Sequence, residues 1–186
     1  MGVKNVDLFE LPRTDTSVPL PQPIDGLVRI SQKQTNWCWA ACALMAYRQK
    51  LRPAMELCNI LDLQFPGNNC CMREFGCNNT CNAVQIADVY TKIHLRSSQL
   101  TPVTNTASMA ITIRNELAEK RPVEIYYNLD SIGAHVVLIV GITPKDQVPE
   151  QFLVFDPAKP TSSMSIESLQ TLDNQGTWLL YWTGIQ

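Results

Sequence analysis

Every residue from Trp37 to Tyr47 is apolar, and polar residues return only at Arg48. A helix apolar on every side is a buried one. Its alanines let neighbouring elements approach closely, so residues 36–51 are expected to run through the middle of the domain with their first turn at the surface. Pro53 begins a second, short helix, because proline is tolerated in a first turn; Met55, Leu57, Cys58, Ile60 and Leu61 form its apolar face. Residues 83–95 repeat apolar positions at helical spacing through Ile86, Val89 and Ile93, and His94 closes that helix, where an imidazole meets the negative end of the dipole. Thr106 or Ser108 caps a further helix with Ile111, Ile113 and Leu117 inward, and Pro122 stops it.

After Pro122 the period changes. Residues 123–127, 135–142, 152–155 and 177–182 are rich in Val, Ile, Tyr, Phe and Trp and are separated by Gly, Pro, Asp and Asn, as strands are. Residues 163–172 are expected to form a short helix before the last strand. Helices first and strands afterwards predict an α+β domain, its N-terminal helical half built round the buried helix and packed on a C-terminal antiparallel sheet. Residues 1–27 hold prolines 12, 19, 21 and 23 without apolar periodicity and read as a tail or linker, leaving 28–186 as the domain.

Composition removes several functions. Hydrophobic residues make up 45% and charged residues 17% of 186, which excludes disorder throughout and suits one domain. The formal charge of −2, with no long basic run, argues against nucleic acid as a partner. No apolar run approaches the roughly 20 residues of a membrane helix, and the first residues lack the apolar stretch of a signal peptide. A monomer is expected.

Seven cysteines change the picture. Apart from Cys38, an even number remains: Cys42, Cys58, Cys70, Cys71, Cys77 and Cys81. These read as structural cysteines forming up to three disulfides, of unspecified connectivity. A zinc site is the alternative, although adjacent Cys70 and Cys71 are awkward joint ligands. The loop 66–82 is long and aperiodic, so it needs covalent tethering or a function.

The candidate chemistry begins at Gln32-Lys33-Gln34-Thr35-Asn36-Trp37-Cys38-Trp39-Ala40, a polar loop turning into a helix with a cysteine in its first turn. Unpaired N–H groups and the positive end of the dipole make such a turn a place where thiolates are favoured. Asn36 is expected to cap the helix. A thiolate attacking an amide makes an oxyanion, for which the Cys38 N–H and an upstream glutamine amide are suitable donors. Gln32, six residues before Cys38, resembles the oxyanion amide of papain-like cysteine proteases; Gln34 is the alternative. With Trp39-Ala40 following the cysteine, the segment is similar to the bacterial branch containing plant-pathogen effector proteases and, more distantly, the double-glycine peptidases.

A cysteine nucleophile needs a base. With His94 at a helix end, His135 is the candidate, at the start of the strongest strand. If strands 135–143 and 151–156 form a hairpin about a loop near 144–150, a symmetric register brings Asp156 opposite His135. Asn128 and Asp130 are alternatives to Asp156. The order Cys, His, Asp and the Phe155-Asp156-Pro157 segment extend the resemblance over about residues 28–184.

The resemblance implies a papain-like fold and a cofactor-independent endopeptidase that uses Cys38, His135 and Asp156. It further implies an effector or antibacterial toxin, secreted or delivered by a specialised route, with target-cell proteins as substrates and a cognate immunity or inhibitor protein as a partner class. The same residues also run glutamine deamidation or transglutamination. A disulfide-rich binding module without catalysis is the remaining alternative.

Overall fold

The computed structural model describes residues 22–51, 54–101, 106–129, 133–143, 151–161, 165–168 and 177–186. Four α-helices, α1 (Cys38–Leu51), α2 (Leu57–Gln64), α3 (Ala83–Lys92) and α4 (Thr106–Ala118), are joined by one antiparallel sheet. Its strands are β1 (Ser98–Leu100), β2 (Val123–Leu129), β3 (Gly133–Ile142), β4 (Gln151–Phe155), β5 (Ser165–Ser168) and β6 (Thr177–Thr183), in the order β1-β6-β2-β3-β4-β5. The class is α+β, as the order of periodicities predicts.

Both faces of the sheet are covered, which explains why β3 is a solid apolar run instead of an alternating one. Val136, Leu138 and Val140 pack with α1, α2 and α3 in one cluster, while Val137 and Ile139 pack with Met109 and Ile113 of α4 in another. Helix α1 lies at the centre of the first cluster; Trp37 to Tyr47 are all buried.

Several local features differ from expectation. Helix α2 starts at Leu57, not Pro53, because Glu56 takes the N-cap and exchanges hydrogen bonds with Asn59; residues 52–53 lie outside the described set. Within the segment 163–172, the described residues Ser165–Ser168 form an edge strand on β4, not a helix. Strand β1 was not anticipated, since Ser98-Gln99-Leu100 is exposed throughout and carries no apolar pattern. In α3 the cap is Asn82, paired reciprocally with Gln85, and His94 lies just past the helix end with φ 60°, exposed.

The packed chain includes part of the segment assigned to the tail. Ile24 and Leu27 are buried, and the Ile24 N–H donates to Val140 O at 2.9 Å. Gly141 permits this approach: a Cβ there would fall 2.3 Å from the Gln22 carbonyl oxygen.

Two disulfides, Cys58–Cys71 and Cys70–Cys77, staple the loop after α2. Cys42 and Cys81 form none and are buried thiols. Cys42, one turn after Cys38, points to the sheet and donates to Val136 O at 3.7 Å. The expected third bridge is therefore replaced by two separate thiols. Zinc is excluded for the four paired cysteines, whose sulfurs are bonded to one another. Among the described residues no group of three or more His, Cys, Asp or Glu is placed to hold a metal.

Candidate active site

The turn into α1 is held from both sides. The Ala41 N–H donates to Trp37 O at 3.0 Å, so Trp37 occupies the cap position and Cys38 is the first residue of the helix. Asn36 does not cap it. Its Nδ2 donates to Asn78 O and its backbone N–H donates to Asn78 Oδ1, each at 2.9 Å, which ties the lead-in to the stapled loop. The Trp37 indole donates to Cys77 O and the Trp39 indole to Asn79 O. Lys33 pairs with Glu74 at 2.8 Å. The stapled loop thus forms one side of the segment that precedes Cys38.

The turn after β4 forms the other side. Arg29 Nη2 donates to Asp156 O at 2.5 Å and to Lys159 O at 3.3 Å, Ser31 Oγ donates to Lys159 O at 2.8 Å, and the Gln32 N–H donates to Pro157 O at 2.8 Å. Residues 29–32 and 156–159 are therefore bonded to each other at four points. Arg29 is almost fully buried, at 8% exposure, a placement that burial alone makes costly.

The structure brings Cys38, His135 and Asp156 together. His135 Nε2 lies 2.8 Å from Asp156 Oδ1, and the imidazole is close enough to Cys38 to feel the charge of its sulfur. The contact with Asp156 is not the directly opposed pair anticipated. Leu138 pairs with Phe155, and continuing that register sets Asp156 level with Val137; a bulge between Ile139 and Gly141 displaces the rest of the hairpin. His135 and Asp156 meet across the resulting diagonal, a reach long side chains on one face can span. The Tyr127 ring stands edge-on to the imidazole, 5.7 Å between centroids at 89°, and packs it from β2.

Burial alone would lower the pKa of His135, but the hydrogen bond and charge of Asp156 and the neighbouring Cys38 sulfur outweigh it and raise it to about 9. For Asp156 burial works upward, and the bond and charge of His135, the Ala158 N–H and Lys159 hold its carboxyl below the usual range instead. An imidazolium between two partners is the favoured state near neutral pH.

Gln32 borders the same space, and Gln34 does not. One Gln32 Nε2 hydrogen goes to Thr35 O at 2.9 Å, leaving the second for another acceptor. Asn128 is exposed on β2, and Asp130 lies outside the described residues. Sequence reasoning missed Arg29, Asn78 and Tyr127. The partners of Arg29 are 127 and 130 positions away, so no local spacing signals them.

Two cavities flank the point between Cys38 and His135. One, about 270 Å3, is lined by Cys38, Trp39, Thr80, Cys81, Tyr126 and Val136. The other, about 670 Å3, is lined by Gln32, Tyr127, Leu129, His135, Asp156 and Ala158. A further cavity of about 370 Å3, near Ile24 and Arg114, holds neither thiol nor imidazole.

Residues 24–183 match the Peptidase_C39 like family. The chain belongs to that family. It is a papain-like cysteine protease, a hydrolase whose substrates are proteins. Among solved structures this peptidase is similar to the peptidase domain of Streptococcus ComA, a bifunctional ABC transporter of a quorum-sensing pathway, with TM-score 0.59, 12% identity, and coverage of 84% of this chain and 96% of that one. It is also similar to UfSP from C. elegans (TM-score 0.47, 15% identity, 90% of this chain and 35% of that one). A third is the Salmonella effector SpvD (TM-score 0.45, 16% identity, 86% and 73%). No curated protein sequence matches the peptidase. Among its described residues, no helix is long and apolar enough to cross a membrane.

Proposed function

We propose that the protein is an endopeptidase in which Cys38 is the nucleophile, His135 the general acid and base, and Asp156 the group that orients and stabilises the imidazolium. The observation that carries this is an imidazole hydrogen-bonded to the Asp156 carboxylate at 2.8 Å and lying beside the Cys38 thiol at the start of α1. The Cys38 sulfur attacks the scissile carbonyl carbon, and the oxyanion is held by the Cys38 N–H and the free Gln32 amide hydrogen. His135 gives its proton to the leaving nitrogen, and the C–N bond breaks to leave a thioester on Cys38. Water, deprotonated by His135, then attacks the thioester, releasing the acid product and restoring the thiol–imidazole pair.

Two disulfides fit a protein that passes through an oxidising compartment. On this reading it is a secreted or delivered enzyme that acts on proteins of another cell, as an effector or toxin.

The test compares the wild type with Cys38→Ala and His135→Ala, each checked for an intact fold, on a target-cell lysate with new chain termini mapped by mass spectrometry. Both substitutions are expected to lower cleavage by about 10⁴-fold. Cleavage retained by Cys38→Ala refutes the assignment, and ammonia release without new termini selects deamidation in its place.

A further inference from the structure

The scissile bond must lie between Cys38 and His135, and the cavities on either side of that point are unequal. During acylation the carbonyl half of the substrate stays bonded to Sγ of Cys38, while the amine half accepts a proton from His135 and departs past it. The cavity of about 270 Å3, lined by Cys38 and not by His135, therefore faces the residues before the cut. The cavity of about 670 Å3, lined by His135 and not by Cys38, faces those after it. The leaving side thus has more than twice the room.

Its wall is also chemically distinct. Tyr127 and Leu129 project from alternate positions of β2, opposite His135 and Gly133 of β3, while Ala134 and Ala158 contribute only short side chains. The formal charges among the lining residues are those of His135 and Asp156, which pair with each other at 2.8 Å. A charged substrate side chain would lose water there and gain no counter-charge. An apolar one would remove the partly exposed Leu129 from water.

We propose that this cavity selects substrates with a large apolar residue, Leu, Met, Phe or Tyr, at the first or second position after the cleaved bond, and that Leu129 determines this specificity. The proposal rests on the endopeptidase reading above. Leu129 is partly exposed, and Tyr127 is buried beneath the imidazole, so Leu129 is the side chain that can be changed without displacing His135.

The test uses the purified full chain on a proteome-derived peptide library, with Cys38→Ala as the blank and new termini mapped by mass spectrometry. Large apolar residues are expected to be enriched after the cut. Leu129→Trp, which narrows the cavity at its Leu129 wall, is expected to shift the preference toward smaller residues such as Gly, Ala and Ser. Leu129→Ala, which enlarges it, is expected to weaken the apolar preference about tenfold, and residues before the cut keep their distribution in both variants. Cleavage indifferent to the residues after the cut, or unchanged by both substitutions, overturns the proposal while leaving the peptidase standing. A library with no Cys38-dependent termini overturns the peptidase reading itself, and this proposal with it.

Discussion

Arg29 donates to the backbone carbonyl of Asp156 and not to its carboxylate. The guanidinium therefore fixes where the Asp156 side chain starts, while the carboxylate stays committed to His135. Because Gln32 is anchored to the same turn through Pro157, one buried cation helps to position two groups that line the cavity beside the imidazole.

Arg29→Ala leaves the Asp156 and Lys159 carbonyls without their charged donor. Loss of such a buried bond costs about 1–3 kcal/mol, to be read from chemical denaturation. If Arg29 positions Asp156, kcat falls about tenfold with KM little changed, and Arg29→Lys recovers only part, since a point charge cannot reproduce the fork. A variant destabilised but kinetically normal assigns Arg29 a purely structural role.

On the proposed mechanism the pH dependence of kcat/KM is set on its alkaline side by His135, whose imidazolium is needed beside the sulfur and is lost as pH rises through about 9. Rates measured in overlapping buffers are expected to fall off there. Asp156→Asn removes the negative charge that opposes burial and leaves only a neutral acceptor, so the alkaline limb moves down toward the ordinary histidine value of about 6.5. An unmoved limb would detach Asp156 from the imidazole's ionisation.

Glu124 is fully buried under α3, and burial raises its pKa to about 8 against the opposing bond from the Tyr90 hydroxyl. Its unfolded form ionises near 4.5, so folding stability is lost as pH rises from about 4.5 to about 8. His135 adds a loss of the same sign: its contribution is full below about 6.5 and disappears as pH rises through about 9. Asp156 acts oppositely, losing its contribution as pH falls through its lowered pKa. Stability is therefore expected to peak in mildly acidic solution. Glu124→Gln keeps an acceptor for Tyr90 and cannot ionise, so its denaturation midpoints should match the wild type near pH 5 and exceed it by about 2–4 kcal/mol near pH 9. Parallel curves for the two proteins would show that Glu124 does not titrate in this range.

The stapled loop holds Trp37, Asn36 and Lys33 through Cys77, Asn78 and Glu74. Replacing Cys58 and Cys71 together by alanine opens a 13-residue span, with an expected loss of up to about 3 kcal/mol in chain entropy. Activity should fall as well, because the lead-in to Cys38 loses its outer support. A strong reductant added to the wild type should lower activity for the same reason, even though it keeps Cys38 reduced. Full activity after verified reduction of both bridges would uncouple the loop from the site.

Helix α1 was legible because eleven consecutive apolar residues admit only a buried element. His135 stood out as the candidate base because the other histidine, His94, follows an amphipathic helix. The meeting of His135 and Asp156 followed from strand pairing, but the register did not, since the bulge at Ile139 and Gly141 has no signature beyond a glycine. Edge strands escaped notice for a physical reason: Ser98–Leu100 makes its contribution through backbone bonds to β6, which its side chains do not encode. Asn36 misled because a capping asparagine and one bonded to a distant loop look alike until Asn78 is brought beside it.

Strand β6 is made last, yet it lies inside the sheet, between β1 and β2. A nascent chain that has already emerged through Asp156 still presents the bare edge of β2, the strand whose Tyr127 packs against His135. That edge closes only when Thr177–Thr183 leaves the ribosome. The fold thereby defers completion of the cleft until that strand is made, and a message broken before it yields a sticky fragment in place of a smaller enzyme.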